Sequence, residues 1–82
     1  MKMFNNQRSL LVRMRKRIGF TQGELSENIG IHAHNISNVE CGKAGLSVRR
    51  WKECVNKGYC SQEEIIEAIT LDAKESLIKA LS

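Results

Sequence analysis

Residues 21–43 read TQGELSENIGIHAHNISNVECGK, and this stretch limits the fold more tightly than any other. Thr21 is a ready N-cap, and Glu24 three residues on completes a capping box, so a helix starts here. Leu25 and Ile29 give that helix one apolar stripe. Gly30 then stops it, because glycine takes the left-handed backbone of a sharp turn without strain. Ile31 follows as a core plug. A second helix is expected from His32 or Ala33 to Glu40, with Ile36 and Val39 inward at i, i+3. Its other face carries Ala33, His34, Ser37 and Asn38. Two helices this short cannot persist alone, so both need a scaffold to pack on.

The rest of the chain supplies one. "NQRSLLVRMRKRI", residues 6–18, reads as a first helix with Leu10, Leu11, Met14 and Ile18 near helical spacing and Gly19 as its C-cap. Gly42 and Gly45 break the chain around Lys43. Ser47 caps a fourth helix, "VRRWKECVNK", whose apolar face is Val48, Trp51, Cys54 and Val55. Trp51 on that stripe reads as core rather than as a stacking platform. Ser61 and Glu64 form a second capping box and start a fifth helix through Ile65, Ile66 and Ile69. Asp72 to Glu75 reads as a further cap or a kink before "LIKAL". The expectation is a compact all-α domain of five helices with a C-terminal helical tail.

At 82 residues the chain makes a single domain, with residues 1–60 as the core and 61–82 as the C-terminal segment. No 18-residue apolar run or signal-peptide pattern is present, which points to the cytoplasm. Cys41, Cys54 and Cys60 read as reduced core or surface thiols. His32 and His34 are about 200° apart on a helix, so they cannot easily share a metal, and none is expected. No cofactor motif, paired carboxylate or nucleophilic constellation stands out, and enzyme chemistry is not expected. Charge is unevenly placed. Residues 1–57 carry eleven Lys/Arg against four Asp/Glu, a net +7, while residues 58–82 come to −3. The basic part suits a polyanion, and a merely solvated surface reads equally well from charge alone. The run Arg13 to Arg17 is ambiguous in the same way.

The paired short helices tip that balance. Two helices joined by a tight glycine turn make a helix-turn-helix. The free face of the second carries the group types that read base edges: Asn for adenine, Ser for either edge, Ala against the thymine methyl. Here the sequence resembles the helix-turn-helix family of phage repressors and Cro proteins, the broad XRE-like group, over roughly residues 8–57. The family's R-x-x-x-G-(L/F)-(T/S)-Q-x-x-L-(A/S)-x-x-x-G-(I/V) stands here as Arg15, Gly19, Phe20, Thr21, Gln22, Leu25, Ser26, Gly30 and Ile31. Its I-S-x-x-E-x-G-K stands as Ile36, Ser37, Glu40, Gly42 and Lys43. The chain departs from the pattern at Gly23, Cys41 and Gly58-Tyr59.

The resemblance implies a lambda-repressor-like fold and a sequence-specific, double-stranded DNA-binding regulator of transcription. It implies base reading by Ala33, His34 and Asn38 with Ser37, and backbone contact by Gln22, His32, Lys43 and the amides after Gly42. Arg49 and Arg50 at the start of the fourth helix could reach phosphate. Arg15 and Glu40 match a structural ion pair. A repressor acting by occupancy is expected, its own promoter being one candidate site, as a homodimer on a two-fold operator. Ile66, Ile69, Leu77 and Leu81 would form the dimer surface, with Ala73 and Ala80 between them; alternatively this strip folds back onto the first helix. No small-molecule ligand or membrane partner is expected. The other classes open to such a chain are the antitoxin of a toxin–antitoxin pair and a protein-binding module on the same fold.

Overall fold

Five α-helices follow one another in the computed structural model, which describes residues 4–82: α1 Asn5–Ile18, α2 Gln22–Ile29, α3 Ala33–Glu40, α4 Val48–Asn56 and α5 Gln62–Leu81. The local signals in the sequence set most of these boundaries. Thr21 Oγ1 accepts from the Glu24 amide at 3.1 Å while Glu24 returns a carboxylate to the Thr21 amide at 2.9 Å. Ser61 and Glu64 repeat the arrangement at the start of α5. The backbone donors at these two caps hold both carboxyls below the usual carboxylate range. Gly30 has φ +72, and a Cβ there would also come within 3.2 Å of the Arg50 guanidinium, so the turn into α3 requires glycine.

The core gathers around α1, which packs on α5 along one side and on α3 along another. Leu10, Leu11 and Met14 meet Leu25, Ile36, Trp51 and Cys54, all of them buried. Cys54 and Cys60 are core thiols and Cys41 is exposed; all three are free. The neighbouring Cys60 and burial together push the Cys54 thiol up, which keeps it protonated. Phe20 and Tyr59 meet edge to face, with ring centroids 5.8 Å apart. That contact packs the Gly58-Tyr59 segment where the family pattern lapses.

Two sequence expectations are corrected. Val48 was expected on the buried face of α4, yet it is 72% exposed. It lies at the edge of the arc centred on Trp51 and Cys54, in the first turn, where it lines a surface groove instead. The cap or kink expected at Asp72 to Glu75 is absent, and α5 runs unbroken through those residues. Asp72 is a cap, but for another helix. Its buried carboxylate accepts from the Asn6 amide at 2.7 Å, the Asn6 side chain at 3.0 Å and the Gln7 amide at 3.0 Å. The N-terminus of α1 has no acidic residue in its own first turn and no side-chain cap from Phe4. An anion from 66 residues away fills that role.

Gln7 is the second buried polar anchor. Its Oε1 accepts from the Leu46 amide at 3.0 Å and from Trp51 Nε1 at 3.1 Å, so one side chain ties α1 to the loop before α4 and to α4 itself. A Cβ on Gly45 would come within 3.0 Å of that same oxygen and 2.9 Å of the Phe4 ring, so a larger residue there would force the Phe4 or Gln7 side chain to shift. Asp72→Ala is expected to lower unfolding free energy by about 2–3 kcal/mol, and Asp72→Asn by less, because only the former strips both α1 amides of an acceptor. Urea denaturation followed by circular dichroism measures both; equal stability of Asp72→Ala and the parent would show that the cap contributes nothing.

Candidate nucleic-acid interface

The candidate interface is built on α3, and its geometry begins at the end of that helix. Arg15 Nε donates to Glu40 Oε2 at 2.6 Å and Arg15 Nη2 to Glu40 Oε1 at 3.0 Å, a two-pronged pairing between α1 and α3. The third arm of the guanidinium, Nη1, donates to the Phe20 carbonyl at 2.9 Å. Gln22, at the first position of α2, adds its side-chain amide to Glu40 Oε1 at 3.1 Å. The two charged side chains are only 18% and 9% exposed, so water screens the pair far less than a surface ion pair. Donating to the Glu40 carboxylate raises the Arg15 pKa further, and its positive charge is permanent. The resemblance implied the pair; the Gln22 link to it was not foreseen.

With Ile36 and Val39 buried, the opposite side of α3 is turned to solvent. Ala33 and His34 are exposed there, and Ser37 and Asn38 are half-buried on its flank. Asn38 Nδ2 sits 3.3 Å from His34 Nε2, one helical turn away, so the two read-out candidates touch. His32 takes the N-cap position with an extended backbone and makes no capping bond, leaving its ring exposed. Lys43 is exposed just past the far end of the helix. Its own amide is spent on the Asn38 carbonyl at 3.0 Å, so the group it offers outward is the ammonium.

The remaining basic residues divide into occupied and outward-facing. Arg50 Nη1 donates to the Ile29 carbonyl at 3.0 Å, where a cation at the C-terminus of α2 is favoured, so Arg50 holds α2 to α4. Arg17 donates to the Tyr59 carbonyl at 2.8 Å and lies 3.8 Å from Glu64, tying α1 to the start of α5. Arg49, Arg13 and Lys16 are exposed. Ala33, His34, Ser37 and Asn38 therefore share one helix face with Lys43 at its end, while Gln22 and Arg50 are engaged within the protein. Sequence reasoning missed Gln7, Asp72 and the tethers of Arg17 and Arg50. For the first two a signal existed: Gln7 is in phase with Leu10, Leu11 and Met14, and Asp72 with Ile65 and Ala68, so a polar group rode on each buried arc.

Among the described residues no helix is long and apolar enough to cross a membrane. Compared with protein-family models, with curated proteins and with solved structures, the chain matches none.

The Arg15–Glu40 geometry yields a stability test. Glu40→Ala leaves Arg15 Nε and Nη2 and the Gln22 amide without an acceptor and is expected to cost about 2–4 kcal/mol. Arg15→Lys keeps the charge but loses the planar fork, and about 1–2 kcal/mol is expected. Both are read by urea denaturation; an Arg15→Lys protein as stable as the parent would mean that charge alone, without the fork, fixes α3.

Proposed function

We propose that α2, the Gly30 turn and α3 form a helix-turn-helix and that α3 enters the major groove of double-stranded DNA. The protein then acts as a sequence-specific transcriptional regulator, a dimeric repressor working by occupancy of its operator. The observation that carries this reading is the outward face of α3. It presents a methyl group, an imidazole and a side-chain amide, from Ala33, His34 and Asn38; burial of Ile36 and Val39 turns it outward, and the Arg15–Glu40 pairing fixes its rotation. The net +7 of residues 1–57 and the resemblance to phage repressors and Cro proteins support it. This is a binding function, not a catalytic one, and it calls for no cofactor.

The proposed division of labour follows from chemistry. Asn38 can pair bidentately with adenine once its amide leaves His34, and His34 can donate to a guanine acceptor. Ala33 meets a thymine methyl, and Ser37 supports from the flank. Lys43 grips phosphate at the C-terminal end of α3, His32 lies at the N-terminal end, and Arg49 extends the contact from α4. Gln22 and Arg50 reach phosphate only with the arms their internal bonds leave over; positioning α3 is their larger part.

The test separates reading from gripping. Asn38→Ala is expected to cost about 1–3 kcal/mol on the specific operator and to relax preference at one base pair. Lys43→Ala is expected to weaken all sequences alike and to flatten the salt dependence by about one unit of log K against log salt. Titrations of both variants against operator and scrambled DNA at two salt concentrations give the comparison. Equal weakening of both DNAs by Asn38→Ala, with helicity intact, would mean that α3 is not the reading helix.

A further inference from the structure

Between α4 and α5 runs a surface groove of about 550 Å³, within the size range of small-molecule sites. It forms only where the two helices pack on either side of the connection 57–61, so no local pattern in the sequence announces it. Val48, Trp51 and Val55 on α4 wall it on one side, and Ile65, Ile66 and Ile69 on α5 wall it on the other. Trp51 offers it carbon only, since its Nε1 is bonded to Gln7 in the interior. Ile66 and Ile69 thus belong to this groove and do not fold back onto α1, which α5 meets on the side of Ala68 and Asp72. The polar side chains are unevenly placed. Lys52 and Asn56 stand one turn apart on α4, and Gln62 opens α5 just past the connection. An ammonium at the midpoint and two amides beyond it therefore mark the half nearest residues 57–61. Lys52 is the one charged residue along the groove, and no carboxylate joins it there. The ion pairs among the described residues belong to Arg15 and Arg17, so the Lys52 ammonium is uncommitted.

We propose that the α4/α5 groove is a binding site for a medium-chain monocarboxylate. Lys52 and the Asn56 and Gln62 amides hold the carboxylate head, and the alkyl tail lies on Trp51, Val55, Ile66 and Ile69 towards Val48. An apolar trough with one unpaired cation and no anion is complementary to an amphiphile with an anionic head and disfavours a cationic one. The flexible stem of Lys52 lets its ammonium follow the head along the turn to Asn56. The groove follows α4 from Val48 to Asn56 and α5 from Gln62 to Thr70, about 12 Å on each helix. A straight carbon chain of about ten atoms has that length. The tail contributes affinity by leaving water, and the head sets its direction. No residue of α2 or α3 lines the groove, so the site is separate from the face that reads DNA, and each is tested without the other.

Trp51 is the single tryptophan of the chain, so its fluorescence reports on the groove directly. Titration of the full chain with decanoate, in the absence of DNA, is expected to give a saturable change in its emission. From hexanoate through octanoate to decanoate, each methylene should tighten binding about two- to fourfold, and the gain should stop once the tail outruns the groove. Decanol and decyltrimethylammonium should bind about tenfold more weakly than decanoate. Lys52→Glu, at an exposed position, should keep its helicity by circular dichroism and lose the preference for decanoate over decanol, while Lys52→Arg retains it. Val48→Asp, also exposed, should weaken decanoate by placing a carboxylate at the tail end. Three results would each overturn the proposal: no saturable change with decanoate, which would leave the groove to a protein partner or a second copy; equal affinity for decanol; or an affinity for decanoate unchanged by Lys52→Glu.

Discussion

The pairing of Arg15 with Glu40 is the contact on which the arrangement of the other helices turns. An eight-residue helix is not stable in isolation, and apolar packing by Ile36 and Val39 sets only which side of α3 faces inward. Hydrophobic contact is non-directional and tolerates a slide or a small rotation. The two-pronged bond between a planar guanidinium and a carboxylate does not. Three nitrogens of Arg15 are committed, two to Glu40 and one to the Phe20 carbonyl, and Glu40 Oε1 takes Gln22 as well. One side chain of α1 thereby fixes the end of α3, the entry to α2 and the turn between α1 and α2. Ile36 and Val39 choose the outward residues of α3, and that knot fixes their rotation.

Gln7 and Asp72 do the same work at the other end of α1. Neither adds apolar surface, and each has a desolvation cost that only complete hydrogen bonding offsets. What they contribute is register. Asp72 can accept from the Asn6 and Gln7 amides only if α5 lies at one height along α1, and Gln7 can serve Leu46 and Trp51 together only if the α4 approach loop closes on it. The smooth apolar core of Leu10, Leu11, Met14 and Leu25 would accept several offsets between helices; the polar anchors select one.

This division explains what the sequence revealed. Caps and glycine turns are local, with donor and acceptor three or four residues apart, so Thr21, Glu24, Ser61, Glu64, Gly19 and Gly30 could be read directly. Apolar arcs are periodic and gave five helices in order. The Asp72 cap spans 66 residues and the Arg50 bond to Ile29 spans 21, and no local pattern encodes either. The Arg15–Glu40 pair, 25 residues apart, was visible only through family resemblance. Val48 was misread because period alone places it inward; whether a neighbour covers the first turn of α4 depends on where α5 passes. Among the α3 residues, the side facing solvent was legible from the positions of Ile36 and Val39, but the contact of Asn38 with His34 was not.

The outer half of α5 obeys different rules from the rest of the chain. From Ala73 to Leu81 the helix is made of Ala, Lys, Glu, Ser, Leu and Ile, mostly strong helix formers, and it extends from a segment already anchored by Ile65, Ala68 and Asp72. Propagation from an existing helix avoids the nucleation cost, so this half can remain helical without tertiary contacts. Its leucines therefore contribute little to folding the monomer. Each would gain roughly 1–2 kcal/mol on being covered, since most of its surface is in water. Natural surfaces do carry single exposed leucines. Here, however, Leu77 and Leu81 continue the line of Ile66 and Ile69 along one face, with Ala73 at its midpoint. A helix needed only to finish the core could have ended soon after Asp72. The part beyond it extends an apolar face that no described residue covers.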